Sequence, residues 1–371
     1  MLDQLKILLE HLEEKADIEH QSSIEQLYKR TLLYEPVERL PVIMSYPLDE
    51  DAVFKPFPHH MIFDNPEIML YNELVHAWGL SIANNVGDDL PWTVRANFGT
   101  VIIASLYGAQ IEQREDNPPW VKHHTDEAFD YDEVFDIDPE DLTRGWCPMV
   151  FQTYQFYKDI LQEYPNLWQS IKLALPDLQG PMDAAEQIRG SEIYCDFYSQ
   201  PEHVNRLLSH VSKSIVTLVK KLETFLINKT DGFSYQHGTM IKGNILLRND
   251  SSIMVSPEMY EQAIRPFDAQ ILKQLSGGIH SCGDISHLAR SFLNCPGCGC
   301  LDLGQPELNN VDQIYEMASA RKIPLLRVKV NEDQLRTESI TEKYPTGVTL
   351  LFEADSIQHA RKTMSEYAST N

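Results

Sequence analysis

Gly277-Gly278-Ile279-His280-Ser281-Cys282-Gly283-Asp284 is the stretch on which the reading of this chain turns. A brief apolar run, opened by two glycines, ends in a histidine and a cysteine one residue apart. On a strand, successive side chains point to opposite faces, so residues i and i+2 share a face about 6.6 Å apart along the chain. His280 and Cys282 can therefore reach one ion, with Zn–N about 2.0 Å and Zn–S about 2.3 Å. Gly283 lets the backbone turn away with no Cβ in its path. The competing reading is a buried strand end, with His280 hydrogen-bonded and Cys282 packed as a small apolar group.

Working outward, strands and helices alternate. Ile171 to Pro176 reads as a short strand, followed by Gly180-Pro181 and a helical run from Met182. Pro201-Glu202-His203-Val204 opens a helix with proline in its first turn, running to about Asn228. Asp231 to His237 reads as a strand, and Ser256-Pro257-Glu258 caps a helix to Gln274. Beyond the focal strand, Leu301-Asp302-Leu303, Pro324 to Val330 and Val348 to Phe352 are strands, with helical segments at 310–321, 332–340 and 355–369. Leu40 to Ser45 supplies the first strand, and a generous count reaches about eight, the number that closes a (β/α)8 barrel. Strands alternating with helices argue for a parallel sheet covered by helices. The expected fold is thus α/β, a TIM (β/α)8 barrel forming one domain over residues 1–371. Residues 1–38 are expected as a helical N-terminal extension. There Leu5, Leu8, Leu9 and Leu12 recur at helical spacing, and Ser22-Ser23-Ile24-Glu25-Gln26 reads as the start of a second helix. Residues 148–170 read as a helix whose aromatic stripe, Phe151, Tyr154 and Tyr157, belongs to the core.

Composition bounds the partners. The 371 residues include 31 Lys and Arg against 55 Asp and Glu, a net charge of −24. Such a surface repels nucleic-acid phosphates and anionic lipid, so no nucleic-acid or membrane partner is expected. No export signal or membrane span is read, which predicts a cytoplasmic protein with its six cysteines as thiols or metal ligands.

In (β/α)8 barrels the chemistry sits at the C-terminal ends of strands. That rule gathers Asp177 and Gln179, Tyr235 and His237, His280 and Cys282, Gln305 and Glu307, Asn331, and Glu353 around one cavity. The segment from Gly87 to His124, with Asp88-Asp89, Trp92, Arg95, Asn97 and His123-His124, is dense in Gly, Pro and aromatic residues and reads as loops lining a pocket. A surface excursion over one end of the barrel is the alternative. Cys295-Pro296-Gly297-Cys298-Gly299-Cys300 has the spacing of a zinc knuckle. It precedes a strand, which puts it at the opposite end, and no second ligand pair stands beside it, so it reads as a cysteine-rich loop.

With these residues in hand the chain resembles the uroporphyrinogen decarboxylase superfamily, and more closely its zinc-dependent, corrinoid-linked methyltransferase branch. The marks are Gly180-Pro181, Pro201-Glu202-His203-Val204, Ser256-Pro257-Glu258 before a long helix, and above all His280-Ser281-Cys282-Gly283. In that branch His-x-Cys supplies two zinc ligands and a distant cysteine near the last strand a third, and zinc holds a thiol as thiolate for attack on a methyl group carried by cobalt. This chain departs twice. The third cysteine is absent from Leu351-Phe352-Glu353-Ala354-Asp355, where Glu353 or else His237 could complete the site. The arginine-rich N-terminal motif that binds porphyrinogen carboxylates is replaced by Met44-Ser45-Tyr46-Pro47-Leu48-Asp49-Glu50-Asp51, which disfavours a polyanionic substrate.

The resemblance implies an enzyme that moves a methyl group between a small methylated substrate or thiol and a corrinoid carrier on a partner protein. His280, Cys282 and Glu353 would hold zinc, Asp177 and Tyr235 would act at the substrate, and Arg95, Asn97, Gln179, His237 and Glu307 would line its site. A surface salt bridge is the alternative for Arg95. The second expectation is a metal-free lyase (carboxy-lyase) acting on a smaller acid, with Asp177 stabilising a protonated intermediate. The third is a non-catalytic binding barrel. A homodimer is expected from the resemblance alone.

Overall fold

The computed structural model describes residues 2–48, 52–75, 86–114, 117–122, 129–226, 232–236, 238–336 and 339–370. Its strands are β1 (Val42–Ser45), β2 (Thr93–Val94), β3 (Ile111–Arg114), β4 (Asn117–Val121), β5 (Lys172–Leu173), β6 (Phe233–Gln236), β7 (Thr239–Lys242), β8 (Ile245–Arg248), β9 (Gly277–Ser281), β10 (Cys298–Leu303), β11 (Leu325–Val330) and β12 (Val348–Glu353). Six form one parallel sheet in the order β1-β12-β11-β10-β9-β8. Helices separate consecutive strands along much of the chain, so the architecture is mixed α/β, as alternation predicts. β2 and β5 make a separate parallel ladder, and β3–β4 and β6–β7 are antiparallel pairs.

Backbone contacts reach each edge strand of the sheet from the segments flanking β2 and β5. Asp89 N donates to Val42 O at 2.9 Å, and a single parallel bridge joins Gln179 to Arg248. Side chains reinforce the first seam. The Asp89 carboxylate accepts from Val42 N at 3.0 Å and from both terminal nitrogens of Arg39, while Asp88 accepts from Met44 N at 2.9 Å. Asp88 and Asp89 are therefore buried struts that satisfy the edge N–H groups of β1.

Alternation along the strands sorts side chains into two sets. Ile245, Leu247, Ile279, Leu301, Leu303 and Leu350 pack in the large core shared with the helices. On the other face, Ala174, Leu246, Cys300 and Leu326 form a small cluster with Met240 and Ile241 of the β6–β7 hairpin and Ile24, Tyr28 and Leu32 of the N-terminal helix Ile18–Leu32. Hairpin and helix thus seal that face at one end. Two residues further along the same strands come Arg248, His280 and Asp302.

Three expectations change. Within the segment read as a strand, Phe233–Gln236 is not a parallel strand: β6 turns back antiparallel on β7, and the parallel strand is β8, which follows the hairpin. The second N-terminal helix starts at Ile18, not near Ser22, because the Asp17 side chain accepts from His20 N at 2.9 Å and caps it there. Residues 147–170 split into helices Cys147–Leu161 and Pro165–Ser170, since Pro165 cannot continue a helix but suits a first turn. Tyr154 and Tyr157 are fully buried, as their stripe predicts. Among the described residues no helix is long and apolar enough to cross a membrane.

Candidate metal centre

β9 is buried along its whole length, and its alternation sends His280 to the face that carries Arg248 and Asp302. His280 Nε2 lies 3.5 Å from Cys282 Sγ and 3.6 Å from Asp250 Oδ1. Asp250 follows β8 by two residues and is held by backbone bonds: the N–H groups of Asp250 and Ser251 donate to the Asp183 carboxylate at 2.9 and 2.8 Å. Cys282 N donates to Asp250 Oδ1 at 2.7 Å, which locks the two strand ends together. The three ligand atoms lie within 4.8 Å of one another. Gly304 closes the far side, where a Cβ would stand 2.6 Å from Cys282 Sγ and 3.0 Å from His280 Cε1.

These donors fit zinc. Ligands on a tetrahedral zinc at the usual bond lengths stand about 3.3–3.6 Å apart, the spacing of His280 Nε2 from both other donors. One imidazole, one thiol and one carboxylate leave a fourth position for substrate, the pattern of a catalytic site. Burial, and then the neighbouring Asp250, push the Cys282 thiol up to about 12. A bound cation would reverse that preference, since the thiolate is the ligand.

Behind the donors lies a lattice of buried ion pairs. His280 Nδ1–H donates to Asp302 Oδ2 at 2.7 Å. Asp302 accepts from Arg327 Nε at 3.1 Å and Nη2 at 2.5 Å. Burial alone would raise the Asp302 carboxyl, but Arg327 and His280 outweigh it and hold it well below the usual carboxylate range. Asp302 is therefore the acceptor toward Nδ1, and Nε2 faces Cys282 and Asp250. Further round, Asp177 accepts from Arg95 Nη1 at 2.6 Å and pairs with Arg248 Nη2 at 3.0 Å. Burial opposes ionisation there too, and Arg248 and Arg95 prevail, keeping Asp177 depressed. Glu73 accepts from Arg95 N at 3.2 Å and from Asn97 Nδ2 at 2.9 Å, yet burial dominates and raises it.

Arg95, Asn97 and Asp177 thus meet, with Arg95 half-buried in its ion pair with Asp177. Gln179 is buried beside Arg248, and its Oε1 accepts no hydrogen bond among the described residues. Glu353 is half exposed and pairs with Lys329 at 2.6 Å, and the exposed Glu307 adds to the charge around that lysine. The donor that joins His280 and Cys282 is Asp250, in place of Glu353. Tyr235 sits in the sealing hairpin, bonded to Glu25 at 3.3 Å and packed in the small cluster with the helix Ile18–Leu32. His237, His123-His124 and Asp49 to Asp51 lie outside the described residues. Cys295, Cys298 and Cys300 form no three-ligand group among the described residues, and burial raises all three thiols, Cys300 to about 12. Sequence reasoning missed Arg248, Asp250, Asp302 and Arg327. Their signal was a charge set among apolar strand residues, as in Leu301-Asp302-Leu303.

No protein-family model and no curated protein matches the chain. A solved structure does. The chain is similar to a methyltransferase from Methanosarcina mazei, at 15% identity over 93% of this chain and 98% of that one, with a TM-score of 0.63. At this identity the likeness carries the fold.

Proposed function

We propose that this protein is a zinc-dependent methyl-transfer enzyme of the uroporphyrinogen decarboxylase superfamily, built on a closed (β/α)8 barrel. Closure is supported by the Asp89–Val42 and Gln179–Arg248 contacts, through which the segments before β2 and after β5 reach the two edge strands of the six-stranded sheet. The observation that carries the function is the Asp250–His280–Cys282 donor set at the C-terminal ends of β8 and β9. The shared fold with a methyltransferase supports the reaction class. Bound there, zinc would hold a thiol acceptor as thiolate, or stabilise the heteroatom that departs when a small methylated substrate gives up its methyl group, and a corrinoid on a partner protein would carry the methyl group.

The chain's own part is positional. Asp302 holds His280 with Nε2 forward, and Asp183 and Cys282 N hold Asp250. Gly304 leaves room at the thiol. A carboxylate where the branch has a third thiolate donates less charge to the ion and leaves it more electrophilic.

One observation favours the carboxy-lyase reading: Arg95, Arg248 and Arg327 all lie on this face. Each is spent on Asp177 or Asp302, however, which leaves little positive charge for a substrate acid. Elemental analysis of the purified chain decides between them. About one zinc per chain, lost in both His280→Ala and Cys282→Ala, is the expected result. No zinc after reconstitution would end the metal reading, and zinc surviving both substitutions would redirect it to Cys295, Cys298 and Cys300.

A further inference from the structure

Arg327 has a backbone conformation that its strand does not need. It lies inside β11 with φ of +53°, the left-handed region that residues other than glycine rarely enter. The pairing of β11 with β12 shifts register between Leu325 and Val328, the mark of a bulge. Packing shows what the bulge does. Leu325, Val328 and Val330 belong to the large core shared with the helices, whereas Leu326 belongs to the small cluster on the opposite face. Strict alternation would put Leu326, Val328 and Val330 on one face together. The bulge breaks that parity, so two consecutive residues, Leu326 and Arg327, turn to the same side.

The extra residue would leave a buried N–H without its ladder partner, and that donor is met by a side chain: Arg327 N donates to Thr349 Oγ1 at 2.8 Å. The guanidinium then spans both oxygens of Asp302, through Nε at 3.1 Å and Nη2 at 2.5 Å. Such a fork fixes the plane of a carboxylate as well as its charge. Asp302 in turn fixes the imidazole of His280. A strained residue persists only where its surroundings over-determine it, and strain of this kind collects at functional sites.

We infer that Arg327, delivered by the bulge in β11 and acting through Asp302, is a positioning residue that sets the orientation and the Nδ1–H tautomer of His280. The inference deepens the proposed metal site and rests on that reading for its consequence, zinc affinity, while the tautomer itself does not depend on metal.

The test therefore has two arms on the full chain. The first is long-range 1H–15N NMR on metal-free protein with 15N-labelled histidine, the His280 signals assigned by their absence in His280→Gln. The parent is expected to show the Nδ1–H tautomer, and Arg327→Ala and Asp302→Asn a mixture or the Nε2–H form. Arg327→Lys guards against misfolding: it keeps the charge but not the fork, and is expected to fall between parent and alanine. The second arm is zinc affinity by competition with a chromophoric chelator, where loss of such a supporting partner typically costs about 10–100-fold. A parent-like tautomer in folded Arg327→Lys and Arg327→Ala overturns the inference, as does an unchanged zinc affinity in both. A parent that binds no zinc yet shows the expected tautomer shifts overturns the metal reading while the positioning role stands.

Discussion

At the scale of single residues, the site depends on close approach. Gly304 is the clearest case, since its backbone N–H donates to Ser281 O at 2.9 Å and its Cα faces the His280–Cys282 pair. In Gly304→Ala the new Cβ would overlap Cys282 Sγ, which stands 2.6 Å from where it must go. That sulfur ends a short side chain, so it can swing aside and the fold should hold. The donor spacing cannot survive that swing. Gly304→Ala is expected to weaken zinc binding by about tenfold or more, a loss of the size that misplaced supporting groups cause, with a thermal transition close to the parent's. Chelator competition and a melting curve check it together, and parent-like affinity would show that the glycine serves the backbone alone.

At the scale of elements, Tyr235 shows how a correct local reading can be placed wrongly. Both β6 and β8 are short, largely buried strands that end in a polar residue, and nothing local says which of them turns back on its neighbour. The decision belongs to the hairpin, whose Met240 and Ile241 pack in one cluster with Leu246 and with Cys300 and Leu326, the last two remote in sequence. His280 and Cys282 were legible because their relation is i to i+2 on one strand. Asp250 and Asp302 were not, because their relation to His280 crosses strands and is set by sheet register. The bulge at Arg327 was hidden in Leu-Leu-Arg-Val-Lys-Val, a pattern that alternation reads without a break. The hairpin makes its own prediction. Tyr235→Phe removes one hydrogen bond to Glu25, worth about 1 kcal/mol or less at a partly exposed acceptor. Zinc content and turnover should stay at the parent level. A large loss of turnover with the fold intact would restore Tyr235 to the site.

At the scale of the whole molecule, buried acids of two opposite kinds govern the response to pH. Asp177 and Asp302 have depressed pKa values, so their contribution to stability is present above the unfolded carboxylate range and is lost only as pH falls well below it. Asp88 and Asp268 are raised, each to about 7, chiefly by burial. Their sign is the reverse: folding favours the protonated form, and that stability is full below the unfolded value, declines as pH rises through the window, and levels off beyond about 7. From an ordinary 3.8 to about 7 the difference amounts to at most about 4 kcal/mol per group. A net charge of −24 adds self-repulsion that acidification relieves. The two effects point the same way between pH 7 and about 5, where Asp177 and Asp302 remain ionised. Metal-free protein should therefore melt at a higher temperature at pH 5 than at pH 7. Asp268→Asn keeps an acceptor for Asn249 and Tyr260 but carries no charge to bury, so it should flatten the slope, whereas neutralising the exposed Glu258 should leave most of it. A midpoint that stays level or falls from pH 7 to pH 5 would mean that the raised carboxyls do not govern stability in this range.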